Sequence, residues 1–168
     1  MKKLLLLLVC AMVLAGCTAR TDVMPSVEFD PNNVASDGYD PTIDWNQVAE
    51  DSNDYFMDDN FFPYLKNMKF TVDEDKKEIT LVFAVDDDTK PEDAKKYGET
   101  CLKDFNEIVA VQNFSLKRGE DEESYGGIFK EYAVSIGVAP ETTKDDESTW
   151  FINDHLEAGE YRELELLK

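Results

Sequence analysis

Two runs of alternating apolar and polar residues predict a β-hairpin near the middle of the chain. Residues 68–72 alternate, and alternation resumes over residues 79–85 after the charged segment 73–77. A period of two turns one face of a strand toward a core, and a short polar loop between two such runs is typical of a hairpin. Val82 and Ala84 are also apolar, so the second strand is expected to lie centrally in its sheet.

An amphipathic helix is predicted directly after this hairpin, with Thr89 or Lys90 as its N-cap. Pro91 suits the first helical turn, and the acidic residues that follow it favour the positive end of the helix dipole. Gly98 is expected to let the helix approach the sheet closely. Apolar residues then recur every three or four positions, which gives the helix one apolar face: Ala94, Tyr97, Cys101, Leu102, Phe105, Ile108 and Val109.

Shorter apolar runs predict further strands in the C-terminal third. Residues 114–116 indicate a short strand, and residues 132–138 indicate a longer one that ends at Pro140. Residues 150–152 fit either a strand or the start of a short helix, and residues 162–166 alternate again. The order β-β-α-β-β, followed by one or two more strands, predicts an α+β fold. We expect a small antiparallel sheet with one main helix packed on a face.

The N-terminal segment has a different pattern. Lys2 and Lys3 precede an apolar run over residues 4–14, which is too short for the roughly 20 residues that span a bilayer. Its basic start and its length are typical of a secretory signal peptide. The run ends in Leu14-Ala15-Gly16-Cys17, and this tetrapeptide resembles the lipobox of bacterial lipoproteins. The alternative is an ordinary signal peptide with a chance cysteine near its cleavage point.

The lipobox resemblance implies that residues 1–16 are a signal peptide, removed by cleavage between Gly16 and Cys17. It also implies covalent diacylglycerol on the Cys17 thiol, often with a further acyl chain such as palmitate on the new N-terminus. Two acyl chains give stable attachment where one is marginal. The mature protein is therefore expected on the extracytoplasmic face of a bacterial membrane, anchored by lipid. The plasma membrane is favoured, but Thr18 gives no retention signal, so an outer membrane stays open.

Residues 17–60 are interpreted as the lipidated N-terminus and an acidic, flexible tether. Residues 18–60 hold eleven acidic residues and one basic residue, together with three prolines. Within this tether, residues 44–50 could form a short helix with Trp45 and Val48 on one side. A single α+β domain is predicted over residues 61–168.

Charge and cysteine content restrict the partners. The chain has 17 basic and 37 acidic residues, a formal net charge of −20, which argues against nucleic acid as a partner. Such a surface attracts divalent cations or basic partners. After cleavage and lipidation only Cys101 keeps a free thiol, so no disulfide forms within the chain, and Cys101 is interpreted as an inert buried residue.

Candidate catalytic and metal-binding residues are few. His155 is the only histidine; it is expected at the surface, although Asp154 and Glu157 beside it could share a metal. One histidine suffices for a Ser-His-Asp triad, but no G-x-S-x-G or H-E-x-x-H motif accompanies it. We predict no catalytic residue, no metal site and no cofactor other than the diacylglycerol. Weak calcium candidates form one acidic run: Asp86, Asp87 and Asp88.

The sequence thus favours a binding or accessory module of the cell envelope, with an unknown envelope protein or ligand as its partner. Its working surface is expected on a sheet face or on the polar loops 118–127 and 141–148. One alternative is a carboxylate-dependent envelope hydrolase, which requires two carboxylates converging in a concave pocket, one with a raised pKa. Another is an inhibitor or immunity-type lipoprotein whose charge complements a basic partner.

Overall fold

A computed structural model describes residues 42–116 and 124–167, which contain two α-helices and a four-stranded sheet. Strands follow one another across the sheet in chain order, β1-β2-β3-β4. The predicted α+β class is confirmed. The elements are α1 (Trp45–Phe56), β1 (Leu65–Asp73), β2 (Glu78–Val85), α2 (Pro91–Gln112), β3 (Ala133–Pro140) and β4 (Ile152–Leu156).

The predicted hairpin is confirmed as the antiparallel pair β1 and β2. Its register places Phe70 opposite Leu81, with both side chains on the face that packs against the core. Lys77 closes the turn with a φ of 55°, in the left-handed region. β2 lies between β1 and β3, as its apolar residues on both faces predicted.

The sheet is mixed, which corrects the prediction of an antiparallel sheet. β2 and β3 run parallel, with Leu81 opposite Ile136, while the two outer pairs are antiparallel. Parallel neighbours need a long crossover connection, and the segment containing α2 supplies it here. The alternating pattern correctly predicted a strand here, but this pattern is the same for a strand that pairs parallel and for one that pairs antiparallel.

The predicted amphipathic helix is confirmed as α2, which lies against one face of the sheet. Its side chains Leu102 and Phe105 are fully buried. Gly98 does allow close approach: a Cβ there would lie 3.0 Å from Leu164 Cδ1 and 3.1 Å from Val138 Cγ2. Cys101 is buried with a free thiol, and burial followed by the nearby Asp104 raises its pKa, as the inert interpretation requires.

The folded core begins earlier in the chain than predicted, because α1 belongs to it. The helix extends to Phe56, beyond the predicted 44–50, and its buried residues repeat every four positions at Val48, Ser52 and Phe56. The Asp44 side chain caps α1 by accepting hydrogen bonds from two backbone N–H groups at 3.0 and 3.2 Å. The polar run at residues 50–54 interrupts the apolar pattern, which was therefore too weak to distinguish this helix from a tether.

Two predicted strands do not form. Residues 114–116 make a turn in which Leu116 is buried while Phe114 is exposed. Residues 162–166 have no strand assignment, although the Leu167 N–H donates to the Phe151 carbonyl at 2.8 Å. The ambiguous residues 150–152 follow a 3₁₀ turn and lead into β4.

The N-terminal predictions lie outside the described residues: the signal peptide and both residues of the predicted cleavage site, Gly16 and Cys17. Part of the first predicted polar loop, residues 118–123, also lies outside them. In the ranges that the structure does describe, neither helix is long and apolar enough to cross a membrane.

Candidate functional site

The two faces of the sheet differ, and the face opposite α2 carries the candidate site. Alternate residues of β2 and β3, such as Leu81 and Ile136, point into the core. Their neighbours Val82 and Gly137 belong to the opposite face, and the 141–148 loop and Trp150 lie beside them. We call this side the open face.

One row of residues crosses all four strands on the open face. Lys69 of β1 is opposite Val82, Val82 is opposite Gly137, and Gly137 is opposite Asn153 of β4. Neighbouring strands lie about 4.8 Å apart, so the row spans about 14 Å from its first to its last Cα. Along this distance it changes from an ammonium group through an apolar centre to an amide.

Trp150 occupies the centre of the row because position 137 has no side chain. A Cβ on Gly137 would lie 2.3 Å from Trp150 Cζ3, so the six-membered part of the indole rests on the bare backbone. The indole N–H donates to the Lys144 carbonyl at 3.0 Å. Contacts on the ring and at its nitrogen therefore fix the orientation of this tryptophan.

A cavity of about 310 Å³ opens on this face, and we call it the open-face groove. Its size is at the lower end of the range of small-ligand sites, about 300–1,000 Å³. Lys69 and Val82 of the row lie in its floor, and the 141–148 loop supplies one wall. The lining residues are Asn67, Lys69, Val82, Ala84, Lys144, Asp145, Glu147 and Trp150.

The charges that line the groove are separated. Among the described residues the Lys69 ammonium has no ion-pair partner, whereas Lys144 pairs with Glu141. The loop wall carries Asp145 and Glu147, both exposed, and Glu147 accepts a hydrogen bond from the Asn153 amide at 3.1 Å. One end of the groove is therefore cationic and the other is anionic.

His155 lies on the same face and is exposed, as predicted. Its Nδ1 lies 3.1 Å from Ser135 Oγ, and its Nε2 lies 3.6 Å from a Glu157 oxygen. This chain of contacts resembles a catalytic triad in outline only. Ser135 is in the middle of β3, whose backbone amides serve two neighbouring strands, so no pair of N–H groups is left beside its hydroxyl to form an oxyanion hole.

The residues considered as metal ligands have other partners. Asp86 pairs with Lys66 at 3.2 Å, and Asp87 accepts a hydrogen bond from the Thr142 N–H at 3.0 Å. Asp154 pairs with Arg162 at 2.7 Å. Asp88 completes the acidic run, yet no three metal-ligating side chains come together in residues 42–116 and 124–167.

The groove contains two carboxylates. Asp145 and Glu147 share one wall and are both exposed. Asp104 does have a pKa raised by burial and then by Glu107, but it lies on α2 and does not line the groove. What the groove offers chemically is separated charge beside a fixed aromatic ring, which is suited to binding.

Sequence reasoning found part of this site. It named the sheet face and the 141–148 loop as working surfaces, but it did not single out Lys69 or Gly137. Gly137 did carry a signal, since a glycine inside a strand often marks close approach of another group. Lys69 carried none, because an exposed lysine on a strand is ordinary.

Comparisons with protein-family models, with curated proteins and with solved structures found no match to this chain. Function is therefore inferred from the groove and from the N-terminal motif.

Proposed function

We propose that this protein is a lipid-anchored lipoprotein of the bacterial cell envelope that acts as a binding or accessory module. Leu14-Ala15-Gly16-Cys17 supports the anchor, with diacylglycerol on Cys17 and the folded domain on the extracytoplasmic side. The open-face groove is the proposed binding surface. The membrane is thus one partner, and an envelope ligand is the other.

The observation that carries the binding role is the combination of a fixed indole with an unpaired ammonium group. Trp150 is held over Gly137 and hydrogen-bonded through its nitrogen, so it loses little conformational freedom when a ligand packs on it. Lys69 is free of carboxylate partners within the described structure, although acids outnumber basic residues two to one in the chain. A cation left unneutralised in such a surface favours an anionic group on the ligand.

Cys17→Ser in the full-length gene is expected to release the protein from the membrane. Each buried CH₂ of an acyl chain contributes about 0.8 kcal/mol, so loss of two chains removes essentially all of the attachment. Intact mass should show that the variant lacks the diacylglyceryl group, and phase partitioning in detergent should move its cleaved form from the detergent phase to the aqueous phase. Cys10→Ser is the matched control, since Cys10 lies in the proposed signal peptide. A cleaved Cys17→Ser protein that partitions like the parent, or a variant that still carries the lipid mass, contradicts the anchor.

Binding in the groove can be followed through Trp150 itself. The chain has two tryptophans, so Trp45→Phe leaves Trp150 as the sole tryptophan emitter. The low-mass fraction of an envelope digest from the native host is expected to change its emission saturably in the full-length protein held in detergent. No change at any concentration, with the same fraction inactive in thermal-shift assays, would contradict the binding role.

A further inference from the structure

The charges at the two ends of the open-face groove indicate which class of ligand it binds. This inference rests on the proposed function. At the β1 end, Lys69 contributes an exposed ammonium group that no described carboxylate neutralises. An ammonium in this position is suited to a carboxylate or another anion on the ligand. The ligand must therefore carry a negative group at the end that lies near Lys69.

The loop wall of the groove favours a positively charged group on the ligand. Asp145 and Glu147 both line it, and Asn153 holds one carboxylate oxygen of Glu147 in place. Lys144 in the same wall does not cancel them, because its ammonium is already paired with Glu141. The second requirement is therefore a cationic hydrogen-bond donor at the other end of the ligand.

The distance across the floor of the groove sets the length of the ligand. From Lys69 to Gly137, on which Trp150 rests, the sheet crosses two strand spacings, about 10 Å in all. An extended peptide advances about 3.3 Å per residue, so about three residues cover this span. Between the ends the groove presents Val82, Ala84 and the Trp150 ring, which suit small apolar side chains.

We propose that the groove binds short peptides that have a free amino terminus and a free carboxyl terminus. The terminal carboxylate contacts Lys69, and the terminal ammonium contacts Asp145 and Glu147. The side chains between them pack against Val82 and Trp150. A neutral oligosaccharide of equal length uses the ring but neither charged end, and a long polypeptide without nearby termini uses neither end.

Tri-alanine is the direct probe, with N-acetyl-tri-alanine and tri-alanine amide as matched ligands that each lack one charge. Affinities are measured by Trp150 emission in full-length Trp45→Phe protein in detergent. Tri-alanine is expected to bind, and blocking either terminus is expected to weaken its affinity about tenfold, as loss of one charged hydrogen-bonded contact does.

Lys69→Met assigns the carboxylate end. It is expected to weaken tri-alanine binding about tenfold but to have little further effect on the amide, which already lacks the carboxylate. Lys130→Met is the matched control: Lys130 is also exposed, has no ion-pair partner among the described residues and does not line the groove. Its affinity for tri-alanine should equal that of the parent.

Three results would overturn the inference. One is equal binding of blocked and free peptides, and another is equal loss in the Lys69→Met and Lys130→Met proteins. The third is no response to any of the three peptides while the envelope fraction still changes Trp150 emission, which leaves the binding role intact and removes the peptide as its ligand. Failure of both the peptides and the envelope fraction removes the proposed function as well.

Discussion

Replacing Gly137 with alanine is expected to lower the free energy of unfolding by about 3 kcal/mol, the upper end for one methyl forced into a packed site. The new Cβ would lie 2.3 Å from Trp150 Cζ3 and 2.8 Å from Cε3, distances that no pair of non-bonded carbon atoms tolerates. The rigid indole cannot bend away, so it must leave the row and break its hydrogen bond to the Lys144 carbonyl. Urea unfolding measures the loss, and a red shift of Trp150 emission in a Trp45→Phe background reports the displaced ring.

Gly98→Ala is the matched control, since it makes the same chemical change with a different expected result. Its Cβ would lie 3.0 Å from Leu164 Cδ1 and 3.1 Å from Val138 Cγ2, so a shift of a few tenths of an ångström relieves the contact, unlike the 2.3 Å approach at position 137. Alanine also gains about 1 kcal/mol of helix propensity over glycine, so the net change should be small.

A double-mutant cycle tests the cause of the Gly137→Ala loss. In a Trp150→Ala background the clash is absent, and Gly137→Ala should cost less than about 1 kcal/mol. An equal loss in both backgrounds would mean that the indole is not what position 137 accommodates, and the account of the groove floor would be wrong.

Replacing Asp154 with asparagine is expected to cost about 2 kcal/mol at pH 7, because the Arg162 guanidinium loses its charged hydrogen bonds to this carboxylate and keeps only its pairs with Glu160 and Glu165. The Asp154 side chain is 9% exposed and accepts from two Arg162 nitrogens at 2.7 and 2.8 Å. It also accepts from the backbone N–H groups of His155 and Glu165, at 2.8 and 2.9 Å. This carboxylate thereby ties residues 162–165 to β4, and an amide can satisfy only part of the set.

The stabilisation by the Asp154 carboxylate should decrease in acid. Burial raises the pKa of Asp154, but hydrogen bonds from Arg162 and from the two backbone amides outweigh it and hold the pKa below its ordinary value. The unfolded chain therefore binds this proton more readily than the folded one does. The stabilisation is complete above the unfolded pKa of about 3.9 and is lost as the pH falls through the lower folded value.

The parent protein should consequently exceed Asp154→Asn in stability at pH 7, and the difference should shrink below about pH 4. Glu163→Gln is the control, because Glu163 is 82% exposed in its ion pair with Lys95 and such pairs contribute less than about 1 kcal/mol. Urea unfolding at several pH values measures both variants. A difference that persists unchanged in acid would contradict the assignment of this carboxylate.

Local sequence patterns were sufficient to predict the hairpin and the helix α2. Their apolar residues recur with periods of two and of three to four, and that repetition depends only on the geometry of the element itself. The helix α1 was only partly predicted, because the polar run at residues 50–54 separates Val48 from Phe56. The proposed anchor also rests on the sequence alone, because the motif that ends at Cys17 is a short linear segment.

Tertiary structure decided the direction of β3 and the composition of the open-face groove. Lys69, Val82, Gly137 and Asn153 are far apart in the chain, and only the register of four strands makes them one row. Three separate pairings set that register, and a one-residue slip of any one strand would turn its open-face residues to the core. The sequence by itself determined which elements form, because periodicity is local. It did not determine which residues meet, because pairing is settled by packing between elements distant in the chain.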